Sequence, residues 1–125
     1  MNDLFLINQF QAAETNIAAQ ISLNPGSRVF EGHFPGQPVL PGVCMVQLVK
    51  ELLVKALQTD MMLIKADQIK FLTVIDPLKT PTFEVNLHFD WVDGKELKVS
   101  GAFSNGETVY FKLQGALFVS SQGAK

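Results

Sequence analysis

Apolar and polar positions alternate strictly from Phe83 to Trp91: Phe83, Val85, Leu87, Phe89 and Trp91 on one side, Glu84, Asn86, His88 and Asp90 on the other. A period of two sends successive side chains to opposite faces, so this segment predicts a half-buried strand. The same alternation returns at Leu97, Val99, Gly101 and Phe103, and again at Val109, Phe111, Leu113, Gly115, Leu117 and Val119. Asp93-Gly94 and Asn105-Gly106 separate the runs and supply residues that tolerate positive φ, as tight hairpins require. Residues 82–119 thus predict a three-stranded antiparallel meander. Upstream, Ile64–Val74 predicts one further strand, ended by Asp76-Pro77. Leu4–Gln11 and Asn16–Leu23 predict two more, with Asn24-Pro25-Gly26 as a turn.

One long segment carries a helical period. Between Gly42 and Gln58 the polar residues Gln47, Lys50, Glu51, Lys55 and Gln58 recur three and four apart, and apolar residues fill the rest. Pro41 marks the start, where a missing N–H costs nothing. Glu51 and Lys55 are spaced for an i,i+4 ion pair of roughly 0.2–0.5 kcal/mol. One apolar helix and about six strands make an α+β chain in which the helix covers the apolar face of the sheet. A sheet wrapped around a central helix is one of several arrangements that satisfy this.

The chain is 125 residues long, a size expected to fold as a single domain over 1–125. With 47% hydrophobic and 18% charged residues it has material for a core and needs no disulfide or metal to hold it. A net charge of −2 argues against nucleic acid as a partner, since such binding shows a basic excess. The lone cysteine, Cys44, excludes an intrachain disulfide and suits a reducing compartment. The first residues lack a basic signal-peptide region, and no apolar run approaches the roughly 18 residues of a membrane span. The expectation is a cytoplasmic protein without a membrane span.

The chemistry concentrates in residues 30–47, FEGHFPGQPVLPGVCMVQ. Pro35, Pro38, Pro41, Gly32, Gly36 and Gly42 describe a stiff loop that delivers the chain to a helix N-terminus, with His33 at its start. The pattern His33-Phe34-Pro35-Gly36-x-Pro38-x-x-Pro41-Gly42 resembles the active-site motif of the β-hydroxyacyl-(acyl carrier protein) dehydratases. Asp76-Pro77 resembles a turn of the same family. The resemblance implies the hot-dog fold, an antiparallel sheet wrapped around one central helix. It also implies elimination of water from a (3R)-hydroxyacyl thioester, giving the trans-2-enoyl thioester, in fatty-acid or related acyl-chain synthesis. The substrate rides on the phosphopantetheine of acyl carrier protein or CoA, and no metal or redox cofactor takes part. His33 matches the base that removes the C2 proton, and the Gly42 N–H matches the donor to the thioester carbonyl. Both roles make physical sense, because a neutral imidazole is a base near pH 7 and a helix N-terminus stabilises developing negative charge. Family sites span a homodimer interface, so a homodimer or higher oligomer is expected.

One position departs from that pattern. Family members carry Glu or Asp five residues after the glycine, to protonate the departing hydroxyl, and this chain has Gln47. An amide cannot supply that proton. Losing a general acid typically removes about 10²–10⁴ in rate. Three accounts follow. Glu51, one turn or about 5.4 Å further along the polar stripe, serves as the alternative acid, directly or through water. Otherwise the protein binds acyl thioesters without dehydrating them, or hydrolyses them as a thioesterase. In the third account it pairs with a carboxylate-bearing paralogue in a heterodimer.

Other candidates have plainer readings. Phe34 and Val43 flank the motif residues and are candidates to frame the acyl and oxyanion pockets. Cys44, at the helix start, is read as a small buried residue rather than a nucleophile. His88 is read as a surface residue, and the two histidines are not spaced as metal ligands. Lys50, Lys55, Lys65, Lys70 and Lys79 are scattered lysines that form at most a weak patch toward an acidic carrier protein.

Overall fold

The computed structural model describes residues 3–31 and 39–120. The strands are β1 (Phe5–Ala12), β2 (Asn16–Leu23), β3 (Met61–Lys65), β4 (Gln68–Phe71), β5 (Thr82–Trp91), β6 (Glu96–Asn105) and β7 (Thr108–Ser120). Among the described residues there is a single α-helix, α1 (Gly42–Leu57), after a short 3-10 turn at Arg28–Phe30. All strands are antiparallel neighbours in one sheet of order β1-β2-β5-β6-β7-β3, and β4 also pairs with β7.

Helix and sheet meet as the periodicities require. On α1 the buried residues are Cys44, Met45, Leu48, Val49, Leu52 and Leu53. They join one core with Ile17 and Ile21 of β2, Phe83, Val85, Leu87 and Phe89 of β5, and Leu97, Val99 and Phe103 of β6. Each fully buried Leu or Phe contributes about 1.5–3 kcal/mol, so this one helix face is a large part of what holds the sheet curved. The helix stops because Gln58 turns left-handed (φ 57°) while its N–H still reaches the Val54 carbonyl. Lys55 does not pair with Glu51; its ammonium lies 5.2 Å from the centre of the Phe10 ring. Among the described residues the helix's ion pair is instead Lys50 with Asp60, at 3.9 Å.

The meander forms as expected, with two corrections. The first concerns the turns. Gly106 takes φ 61° between the paired Asn105 and Thr108. Gly94 needs no positive φ, because the Asp93 carboxylate holds that turn by accepting the Lys95 and Glu96 N–H groups, both at 2.9 Å. Those bonds lower the Asp93 pKa, and its hydrogen bond to Glu96 raises that of Glu96.

The second correction concerns phase. The sequence predicts Leu117 and Val119 inside, but Ala116, Phe118 and Ser120 are the buried residues. Gly115 takes φ 62°, and the register jumps from Val99↔Ala116 to Gly101↔Leu113. One extra residue on β7 makes a bulge, and one extra residue exchanges the two faces of a strand.

The same bulge explains a third difference. The predicted strand Ile64–Val74 is two strands, β3 and β4, broken at Ala66-Asp67. β3 pairs with β7 beyond the bulge and β4 pairs before it. The Asp67 N–H reaches the Gly115 carbonyl at the break (3.3 Å). The segment leaving β4, residues 72–74, is not strand.

Candidate active site

Of the motif residues, His33 and Phe34 lie outside the described residues. The chain is described again at Val39 and enters α1 through Leu40 and Pro41. Leu40 is buried, and its N–H donates to the Ile75 carbonyl at 2.8 Å. The helix entry is therefore pinned to the segment that follows β4.

Pro41 is the N-cap, in extended conformation (φ −64°, ψ 146°), and it makes no side-chain cap bond. The proline ring carries no oxygen that could accept one. The Cys44 N–H is taken by the Pro41 carbonyl at 3.0 Å. The amides of Gly42 and Val43 precede it, and the first amides of a helix have no intrahelical partner. An oxygen that gains negative charge is stabilised at such a place.

Gly42 is a glycine for a visible reason. A Cβ built there would fall 2.7 Å from the Phe71 ring. The Val43 side chain is 77% exposed, and its backbone N–H follows that of Gly42 in the first turn. Phe71, Leu72 and Val74 are exposed as well, so the helix entry sits beside an apolar strip of surface. Sequence reasoning did not single out Phe71, which stands exposed at the end of β4.

Gln47 and Glu51 do come together. They line one open depression of about 470 Å³ beside α1, with Ile7, Lys50, Val54, Lys55 and Asp60. Gln47 is half-buried and Glu51 is exposed. Among the described residues neither side chain has a hydrogen-bond or ion-pair partner, so both are free to meet a ligand or water. Gly42 and Val43 are not part of this depression. Two other depressions, at the β1–β2 edge, hold Glu84 as their only titratable lining residue.

The remaining candidates sort by environment. Cys44 is 5% exposed, and burial pushes its thiol pKa up, which suits a packing residue and not a nucleophile. His88 is on the outer face of β5, with Nδ1 3.1 Å from Asn16 Oδ1 and Nε2 3.0 Å from Asp90 Oδ2. Among the described residues no three His, Cys, Asp or Glu side chains gather as a metal site. No helix among them is long and apolar enough to cross a membrane.

The sequence profile of the ApeI-like family, described as ApeI dehydratase, matches residues 9–110. No curated protein matches the chain in sequence. Among solved structures, the dehydratase heterocomplex ApeI:P from Xenorhabdus doucetiae is similar at 21% identity, with 89% of this chain and 96% of that chain covered and a TM-score of 0.73. An uncharacterised protein from Erwinia carotovora subsp. atroseptica is similar at 22% identity, with 94% of each chain covered and a TM-score of 0.56. A hypothetical thioesterase protein with coenzyme A from Streptococcus pneumoniae is similar at 13% identity, with 97% of this chain and 88% of that chain covered and a TM-score of 0.63. These likenesses establish the hot-dog fold: one antiparallel sheet around a single helix.

Proposed function

Because the chain belongs to the ApeI-like dehydratase family, we propose that it acts on 3-hydroxyacyl thioesters carried on acyl carrier protein or CoA. The observation that carries this reading is the uncapped first turn of α1 at Gly42, directly after the histidine motif. In this reading His33 takes the C2 proton of the substrate. The charge that moves onto the thioester oxygen is met by the Gly42 N–H. Expulsion of the C3 hydroxyl then requires a proton, which Gln47 lacks. Glu51, beside Gln47 in the same depression, delivers it through a bridging water. No resident metal or redox cofactor is part of this scheme; phosphopantetheine is the carrier of the substrate.

A second reading is favoured by Gln47 together with the similar structure from Xenorhabdus doucetiae, which is a dehydratase heterocomplex. Here the chain pairs with a carboxylate-bearing paralogue across a dimer interface. The separation of Gly42 from the Gln47–Glu51 depression within one protomer suits a site completed by a second subunit. Exposed Val43, Phe71, Leu72 and Val74 supply an apolar surface for such a contact.

The test offers purified protein (3R)-hydroxyacyl and trans-2-enoyl thioesters of CoA and acyl carrier protein, with light scattering for mass. Interconversion of the two by a homodimer supports the first reading. Binding without turnover, with activity restored by a co-purifying paralogue, supports the second. Release of free thiol makes the protein a thioesterase and overturns both.

A further inference from the structure

Four phenylalanines form a ladder across the sheet toward the helix entry. Phe83 of β5 stacks on Phe103 of β6 (5.3 Å, 19°), Phe103 tilts against Phe111 of β7 (4.8 Å, 47°), and Phe111 against Phe71 of β4 (5.4 Å, 47°). The first three rings are at most 1% exposed, and the last is 55% exposed. Its Cε1 and Cζ lie 2.7 Å from where a Cβ on Gly42 would stand. The ladder thus ends on the residue that opens α1. Ring pairs of this kind prefer fixed offsets, so the position of Phe71 is set by the core behind it.

We propose that Phe71 is the positioning residue for the Gly42 amide. Its ring rests against Gly42, fixes the backbone there, and shields one side of the first-turn N–H from water. The inference rests on the thioester reading above. A shielded, immobile donor binds developing charge more strongly than a solvated one. Glycine at 42 is what lets the ring come this close. The pairing needs both residues: a side chain at 42 displaces the ring, and loss of the ring frees residue 42.

The test is a titration of the full-length ¹⁵N-labelled protein with crotonyl-CoA, following the Gly42 amide, on the parent, Phe71→Leu, Phe71→Ala, Gly42→Ala and Phe71→Ala/Gly42→Ala. In the parent the Gly42 amide shifts as the thioester binds. Phe71→Ala weakens binding about tenfold and abolishes that shift, while the other helix resonances stay in place. Phe71→Leu, which keeps apolar volume on Phe111, remains folded and shows an intermediate loss. The double variant binds no worse than either single one, because the two changes break one contact. Where the parent turns over, Phe71→Ala lowers kcat about 10²-fold in addition to the roughly tenfold rise in KM that the weaker binding brings, as displacement of a donor that acts most strongly in the transition state does. Phe71→Tyr, which keeps the ring face, keeps both. A parent that binds thioester with no response at Gly42, or a Phe71→Ala variant that leaves that response and kcat intact, overturns the proposal alone. A parent that binds no thioester overturns the proposed function, and this inference with it.

Discussion

Gln47→Glu is the substitution that most directly tests the chemistry. It places a carboxyl where the dehydratase motif has one, in a depression already open enough to admit substrate or water. A general acid is worth about 10²–10⁴ in rate, which is roughly 2.7–5.5 kcal/mol of barrier. The new carboxyl would stand one turn from Glu51, a like-charge pair that favours protonation of one member and so suits an acid. The same repulsion costs only about 0.2–0.5 kcal/mol in a solvated groove. For a chain of this size that lowers Tm by roughly 1–2 °C. The assay is hydration of crotonyl-CoA, followed by loss of the enoyl absorbance, beside a thermal melt. The expected result is a hydration rate at least 10²-fold above the parent with Tm nearly unchanged. If the rate does not rise, while Glu51→Gln abolishes the activity of the parent, the water-bridged route from Glu51 already supplies the proton in full and Gln47 marks no deficit. If the rate does not rise and Glu51→Gln changes nothing, the depression beside α1 is not where the hydroxyl leaves.

Three further outcomes follow from the packing. Gly115→Ala forces a side chain into positive φ and into the Asp67 carboxylate, so it should cost roughly 2 kcal/mol and about 8 °C in Tm, read by calorimetry; no loss would mean the bulge is not strained by a side chain. Asp3 is held below the usual carboxylate range by the Arg28 N–H and the Ser27 hydroxyl, so it stabilises the fold above about pH 4 and loses that effect as pH falls through its lowered folded value. The Tm difference between the parent and Asp3→Asn should therefore be present at neutral pH and vanish on strong acidification, and a difference independent of pH would refute the assignment. Cys44 should react with a maleimide slowly in the native protein and rapidly in urea, since its thiol is buried and its pKa raised; equal rates would place it at the surface.

The fold was legible where one period dominated. Phe83–Phe89 and the face of α1 announce their buried sides, because each residue's neighbour at the right spacing shares its environment. The helical period from Gly42 and the proline before it also gave the start of α1. What the pattern hid was local. Leu117 and Val119 look like core residues by alternation, and a single inserted residue at Gly115 turns them outward. Ile64–Val74 contains enough β-branched and aromatic residues to suggest one strand, but its pairing partner bends and splits it. Phe71 carried no signal of its own, because its role depends on which residue lacks a side chain 29 positions earlier. Gly115 was the one available warning, since an isolated glycine in a strand often marks a bulge.

That glycine also links the fold to the site. A straight β7 would carry one continuous partner along its edge, and the partner's inward face would keep a single phase. The bulge instead ends β3 at Lys65 and restarts pairing at Gln68, with Asp67 seated against Gly115 between them. Restarted there, β4 sets Phe71 opposite Phe111, at the end of the aromatic ladder. Beyond it, the Leu72 N–H turns to the Tyr110 carbonyl at 2.8 Å, and Ile75 receives the Leu40 N–H. Two attachments then hold the first turn of α1: a backbone hydrogen bond at Leu40 and a ring at Gly42. Both depend on where β4 begins. A backbone conformation at residue 115, open to glycine and costly to any other residue, thus sits at the break between the two strands, the second of which brings Phe71 against Gly42.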